Sequence, residues 1–116
     1  MLSLSSGRRY FLYRHHADMR KGFDSLAGLV RTELADPLSG EIFIFLNKRR
    51  NQVKLLLWEK DGFSLYYKRL EKGTYELPVI ENNTGSIELS ARQLLLILEG
   101  ISLKSVRQRK RFEQGK

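Results

Sequence analysis

No cysteine occurs in the 116 residues, which excludes a disulfide framework, Cys-ligated zinc and thiol chemistry together. Histidine is nearly as scarce. The two present, His15 and His16, are adjacent, and neighbours on an extended chain point to opposite sides, a poor start for a metal site. No metal and no other cofactor is expected. No apolar run approaches the roughly 20 residues of a membrane-spanning helix. The arginines of MLSLSSGRRYFLY follow a very short apolar patch, the reverse of the order in a secretory signal. A cytoplasmic protein without membrane contact is the expectation.

Arrangements for catalysis are missing as well. The carboxylates are scattered over caps, turns and helix surfaces, and no two bracket an apolar strand as a two-metal nuclease or transposase centre requires. There is no Ser-His-Asp pattern, glycine-rich phosphate loop or HExxH motif. The residues describe a binder and not an enzyme.

Charge is what the chain has in excess. The formal net charge is +8. Residues 104 to 116 hold six cations, among them Arg107, Arg109, Lys110 and Arg111, against Glu113 alone. That is a net of +5, which leaves +3 for the first 103 residues. The chain reads as one mildly basic domain, 1–103, followed by a strongly basic tail, 104–116. Such a tail serves nucleic acid or an acidic partner through salt-sensitive electrostatics, or it is a solvated end that aids solubility.

The organising stretch is Val53 to Leu70, VKLLLWEKDGFSLYYKRL. Asp61-Gly62 suits a two-residue hairpin turn with positive φ at both positions. Pairing outward from it sets Lys60 opposite Phe63, Trp58 opposite Leu65, Leu56 opposite Tyr67 and Lys54 opposite Arg69 on one face. Leu55, Leu57, Tyr66 and Lys68 fall on the other. Both faces are apolar near the middle, so both need cover.

Before the hairpin, Arg9 to Tyr13 (RYFLY) suits a short strand. Asp18 fits an N-cap, and Met19, Phe23, Leu26, Val30 and Leu34 recur at helical spacing, which predicts an amphipathic helix over about 19–34 that ends before Asp36-Pro37. Glu41 to Leu46 is an apolar strand that should lie antiparallel to Val53 to Glu59 across the polar connection Asn47 to Gln52. After the hairpin, Thr74 to Leu77 can add a short strand limited by Pro78. Glu81 to Ser86 is loop chemistry. Ser90 and Gln93 have capping-box spacing and open a second helix, about 91–99, apolar nearly all round and closed by Gly100.

Three basic groups are candidates for phosphate contact. Arg20 and Lys21 fall in the first turn of the expected helix, with Arg14 and the two histidines just upstream. Exposed N–H groups ringed by cations hold phosphate, although unseen acidic groups such as Glu33 or Glu41 satisfy such a cluster equally well. Lys48, Arg49 and Arg50 sit at a loop tip, either against a phosphate backbone or simply in solvent. Lys68 and Arg69 flank Tyr66 and Tyr67, an interleaving of cations and aromatics that stacks bases in nucleic-acid binders and that otherwise marks the edge of a core.

Three blocks resemble a known family: DMRKGFDSLAGLV at Asp18 to Val30, KLLLWEKDGFSLYYKRLEKG at Lys54 to Gly73, and LSARQLLLILEGI at Leu89 to Ile101. Together they look like the small TnpB-type accessory protein of the bacterial insertion-sequence family sixty-six, which is distinct from the RNA-guided nuclease of the same name. The resemblance implies a protein that assists transposition of its element beside a separate DDE transposase and a second accessory protein. It carries no catalytic residues over to this chain.

The expected fold is therefore α+β: a single domain with an antiparallel sheet of four or five strands around the central hairpin, one long helix and one short C-terminal helix. The expected function is assistance to DNA transposition by contact with element DNA and with the transposase. Its DNA-binding candidates are Arg14, Arg20, Lys21, Lys48, Arg49, Arg50, Lys68, Arg69, Arg107, Arg109, Lys110 and Arg111. The alternative is a protein-interaction module that docks on the transposase through Leu55, Leu57, Tyr66 and Leu95 without touching DNA.

Overall fold

The aromatic run near the N-terminus does form a strand, β1 (Tyr10–Tyr13). In the computed structural model, which describes residues 7–77 and 86–99, β1 lies inside a five-stranded sheet. It is followed by α1 (Phe23–Leu29) and a π-helical turn, Val30–Leu34, then by β2 (Ile42–Leu46), β3 (Gln52–Glu59), β4 (Gly62–Arg69), β5 (Ser86–Leu89) and α2 (Ala91–Glu99). The spatial order is β4-β3-β2-β1-β5. β1 and β2 are parallel, with α1 in the crossover that a parallel pair requires. Every other pairing in this sheet is antiparallel.

Strand alternation divides the core in two. On one face Leu12, Ile44, Leu55 and Leu57 bury themselves with Leu94 and Ile97 of α2. On the other, Phe43, Phe45 and Leu56 pack against Leu26, Ala27 and Val30 of the α1 crossover. β2 has neighbours on both edges and cover on both faces, so all five of its residues are buried. The α+β domain expected from the sequence is thus a sheet between two helices.

Three expectations need correction. The helix over 19–34 is shorter: α1 begins at Phe23 with Gly22 at its N-cap. The reason is Lys54, whose ammonium donates to the carbonyls of Met19 and Lys21, both at 2.7 Å. In a helix from residue 19 those carbonyls would accept from the N–H groups of Phe23 and Ser25. Asp18 instead makes a turn of its own, its Oδ1 accepting from the backbone N–H of Arg20 at 2.9 Å and its carbonyl from that of Lys21 at 3.0 Å. At the far end the Thr32 hydroxyl donates to the Gly28 carbonyl, and the Ala35 N–H reaches five residues back to Val30. The last turn is therefore wider than an α-turn.

The central hairpin turns one residue earlier than Asp61-Gly62 implies. Glu59 pairs with Gly62, and Lys60 takes a positive φ of 43° to close the turn. Trp58 thereby faces Phe63, with ring centroids 5.0 Å apart at 75°, and Lys54 faces Tyr67, its ammonium 4.6 Å from the ring centroid. These cross-strand contacts outweigh the local preference of Asp-Gly. Each partner moves by two residues, so every side chain keeps the face expected for it.

Thr74 to Leu77 is not a strand. Tyr75 is buried in the first core, and its N–H donates to the Arg50 carbonyl at 2.7 Å. The fifth strand comes instead from Ser86–Leu89, at the end of the expected loop, the rest of which lies outside the described residues together with Gly100 and the basic tail.

Candidate nucleic-acid interface

Strand directions decide where the charges go. β1, β2 and β4 all end, and β3 begins, at the same end of the sheet. That end gathers Arg14, His15 and His16 after β1, Lys48, Arg49 and Arg50 between β2 and β3, and Arg69 at the end of β4. The two loops meet directly, because the Ala17 N–H donates to the Leu46 carbonyl at 2.8 Å. A cleft of about 400 Å³ opens between them, lined by Arg14, His15, His16, Lys48 and Arg50 with Tyr13, Leu46, Asn47 and Leu77. A second, of about 550 Å³, adjoins it through His16, Asn47 and Lys48 and continues over Ala17, Asp18, Met19, Arg49, Asn51 and Gln52.

The Lys48-Arg49-Arg50 tip is held in shape from below. Asn47 Oδ1 accepts from the N–H groups of Asn51 and Gln52 at 3.0 and 2.9 Å, and its amide donates to Asn51 Oδ1 at 2.6 Å. Arg50 takes the left-handed conformation, φ 58°, which closes the turn. The Leu70 and Tyr75 N–H groups add bonds to the carbonyls of Asn51 and Arg50, each at 2.7 Å. Three exposed cations thus stand on a backbone that neutral groups fix in place. None of the three makes an ion pair with a described carboxylate.

At the opposite end acidic groups offset the cations. Arg9 binds Glu88 through two hydrogen bonds of 3.0 Å and lies 3.4 Å from Glu41. The hydrogen bond to Arg9 lowers the Glu88 carboxyl below its usual range, and Glu88 raises the guanidinium in turn. Glu59 and Asp61 stand at the same end. The positive field is therefore concentrated at the other end of the sheet, which suits a phosphate backbone.

A family model, that of the IS66 Orf2 like protein, matches residues 8–108. The chain belongs to the IS66 Orf2-like family. Its relatives include two from Sinorhizobium fredii (strain NBRC 101917 / NGR234), both named only as uncharacterized proteins. One, y4jC, is 30% identical over 110 residues, 94% of this chain and 92% of the relative. The other, y4hO, is 35% identical over 102 residues, 87% of each chain. No solved structure matches. Family membership makes this an insertion-sequence-associated accessory protein, in a family not known to be catalytic.

Among the expected contacts of this IS66 Orf2-like protein, Arg14, Lys48, Arg49, Arg50 and Arg69 share the basic end. Lys68 is exposed on β4 but faces the other side of the sheet from Arg69. Arg69 itself lies 3.2 Å from Glu71. The helix entry expected at Arg20-Lys21 is not there, since α1 starts at Phe23, and Arg20 is engaged by Asp18 through bonds of 2.7 to 3.1 Å, which hold the Asp18 carboxyl down to about 2. Lys21 offers its carbonyl to Lys54. Arg107, Arg109, Lys110 and Arg111 lie outside the described residues.

The apolar candidates separate in the same way. Leu55 and Leu57 are buried in the core beneath α2 and present no surface, because the short helix covers more of that face than its length suggested. Tyr66 is half-buried at the rim of that core, and Leu95, 45% exposed, points outward from α2. His15 and His16, which the sequence set beside Arg14 at the expected helix entry, line the clefts, whereas Asn47, which holds the loop, is not among the sequence-based candidates. A lone Asn before three cations was the available signal for the last. No group of three His, Cys, Asp or Glu side chains converges as a metal site among the described residues, and no described helix is long and apolar enough to cross a membrane.

Proposed function

We propose that this accessory protein assists transposition of its insertion sequence by binding the element's DNA through the basic end of the sheet, without catalysis of its own. The observation that carries the reading is the convergence of Arg14, Lys48, Arg49 and Arg50 around two adjoining clefts, on loops that the fold holds in place, with Arg69 at the same end of the sheet. The basic tail extends the same electrostatic character. Phosphate contact fixes position and supplies affinity without reading sequence, so recognition of particular element ends falls to the transposase or to base contacts nearby.

The test is titration of the full chain with duplex and single-stranded oligonucleotides across roughly 50 to 200 mM salt. Each phosphate neutralised on duplex contributes about 0.9 to the slope of log affinity against log salt. Replacing Arg49 and Arg50 with glutamine should therefore weaken binding and flatten that slope by about 1.8. Binding no stronger than that of an equally basic control protein would remove the DNA reading.

One observation favours a second reading, docking on the DDE transposase or the second accessory protein. Leu95 is a large apolar side chain exposed on α2, which packs on the core that Tyr66 borders. Here Leu95→Glu would abolish capture of the transposase while leaving DNA titration unchanged, and a variant that still captures it would end this reading.

A further inference from the structure

Tyr67 is an exposed aromatic side chain of β4 that the sheet fastens from two directions. Its hydroxyl donates to Gln52 Oε1 at 2.9 Å. One face of its ring lies over the Lys54 ammonium, 4.6 Å from the centroid. Lys54 is only 6% exposed and is itself held by the carbonyls of Met19 and Lys21. Tyr67 nevertheless remains 53% exposed, and the cation occupies only one face of its ring. An aromatic ring whose orientation is fixed and whose outer face is open has little ordering entropy left to lose on stacking.

Its position adds a second, independent observation. Gln52, which anchors the hydroxyl, also lines the second basic cleft together with Met19, Lys48, Arg49 and Asn51. Arg69 is paired directly with Gln52 across the strands and shares the Tyr67 face. A flat, uncharged surface thus borders a cleft lined by Lys48 and Arg49, whose one carboxylate, Asp18, is already engaged by Arg20, and such an arrangement takes a base and its neighbouring phosphates at once.

We propose that Tyr67 is a stacking platform for an unpaired nucleobase, so that the basic end binds single-stranded DNA in preference to fully paired duplex. The inference rests on the DNA-binding reading above and goes beyond it by naming the strand state. A base inside a duplex has both faces occupied by its neighbours, whereas a base in a single strand can turn one face to the ring. Lys54 beneath the ring fixes the tilt at which the base arrives.

The experiment compares wild type, Tyr67→Ala and Tyr67→Phe by fluorescence anisotropy at low salt, using labelled oligothymidylate, the same strand with abasic sites throughout its centre, and a duplex of equal length. Tyr67→Ala should weaken oligothymidylate binding about 5- to 150-fold, the range found on removing one base–aromatic stack. It should leave the abasic strand unchanged, while Tyr67→Phe, which keeps the ring and loses only the bond to Gln52, should weaken oligothymidylate binding far less than Tyr67→Ala. Thermal unfolding of each variant checks that the fold persists. As a second measurement, Tyr67→Trp in a Trp58→Phe background places the chain's single tryptophan at the platform, and its fluorescence should be quenched by oligothymidylate and not by the abasic strand. Equal weakening on the intact and abasic strands, or quenching by both, would overturn the stacking role while leaving phosphate binding intact. Absence of binding to all three probes by the wild-type chain would overturn the DNA reading and this inference with it.

Discussion

Lys54→Met removes one ammonium and keeps most of the stem. Two carbonyls, of Met19 and Lys21, are deprived of donors at 2.7 Å, and the Tyr67 ring of the cation beneath it. Hydrogen bonds to a charged group contribute about 1.5 to 3 kcal/mol each, and a cation–π interaction about 0.5 to 2 kcal/mol. Taken at their lower ends these sum to about 3.5 kcal/mol. The substitution also recovers part of the desolvation cost of a buried ammonium, and water can reach carbonyls in a surface turn. A net decrease of about 2 kcal/mol is expected, a sizeable fraction of the roughly 5–15 kcal/mol typical of a domain. It should appear in urea unfolding as a lower midpoint with an unchanged slope, and in thermal unfolding as a fall of about 8 °C.

The same variant tests why α1 is short. With Lys54 gone, the carbonyls of Met19 and Lys21 are released to accept from Phe23 and Ser25, and the backbone chemical shifts of residues 19–22 should move toward helical values. A midpoint at or above wild type would refute the reasoning: the ammonium would then be a net cost to the fold, and the helix start would be set by Gly22 and the Asp18 turn alone.

Three further expectations follow from named interactions. Asn47→Ala removes three hydrogen bonds under the Lys48-Arg49-Arg50 tip and should lower stability by about 1–3 kcal/mol in urea unfolding, with a matching decrease in DNA affinity as the loop loosens. Ser90→Ala removes the hydroxyl that accepts from the Gln93 N–H at 3.1 Å and should cost about 1 kcal/mol, read as reduced protection of the α2 amides in hydrogen exchange. The Asp18 carboxyl, held at about 2 by its hydrogen bonds with Arg20 against an ordinary value of 3.8, should titrate near 2 by NMR. Because its folded value is the lower one, its contribution to stability is present above 3.8 and is lost as the pH falls toward 2, and Asp18→Asn should abolish that dependence.

Local signals were legible where no distant group competes with them. The capping box of Ser90 and Gln93 is present with both bonds, 2.9 and 3.1 Å, and β2 lies antiparallel to β3 as its polar connection implied. The departures have tertiary causes. Nothing near Met19 in the sequence shows that a lysine 35 positions later takes its carbonyl. Nothing in Asp61-Gly62 shows that the ring packing of Trp58 on Phe63 will move the turn by one residue. The faces survived that error because the displacement of each partner is even, and side-chain direction on a strand has a period of two.

The candidate site was legible as residues and not as a place. Arg14, the 48–50 tip and Arg69 are separated by up to 55 positions in the chain, and an all-antiparallel meander beginning at β1 would have put Arg14 at the end opposite the 48–50 loop. The parallel pairing of β1 with β2, made possible by the α1 crossover, is what brings both loops to one end. The two hairpins then return β4 so that Arg69 finishes beside Gln52. The charge segregation is therefore a property of topology, and it yields a sharper discrimination than composition could. If the field of the basic end drives DNA binding, charge reversal at Arg8 and Arg9, at the other end, should leave affinity nearly unchanged at physiological salt, where screening acts over about 8 Å, while the same reversal at Arg49 and Arg50 abolishes it. Equal effects at both ends would mean that net charge alone attracts the nucleic acid, and the arrangement of the sheet would have no part in it.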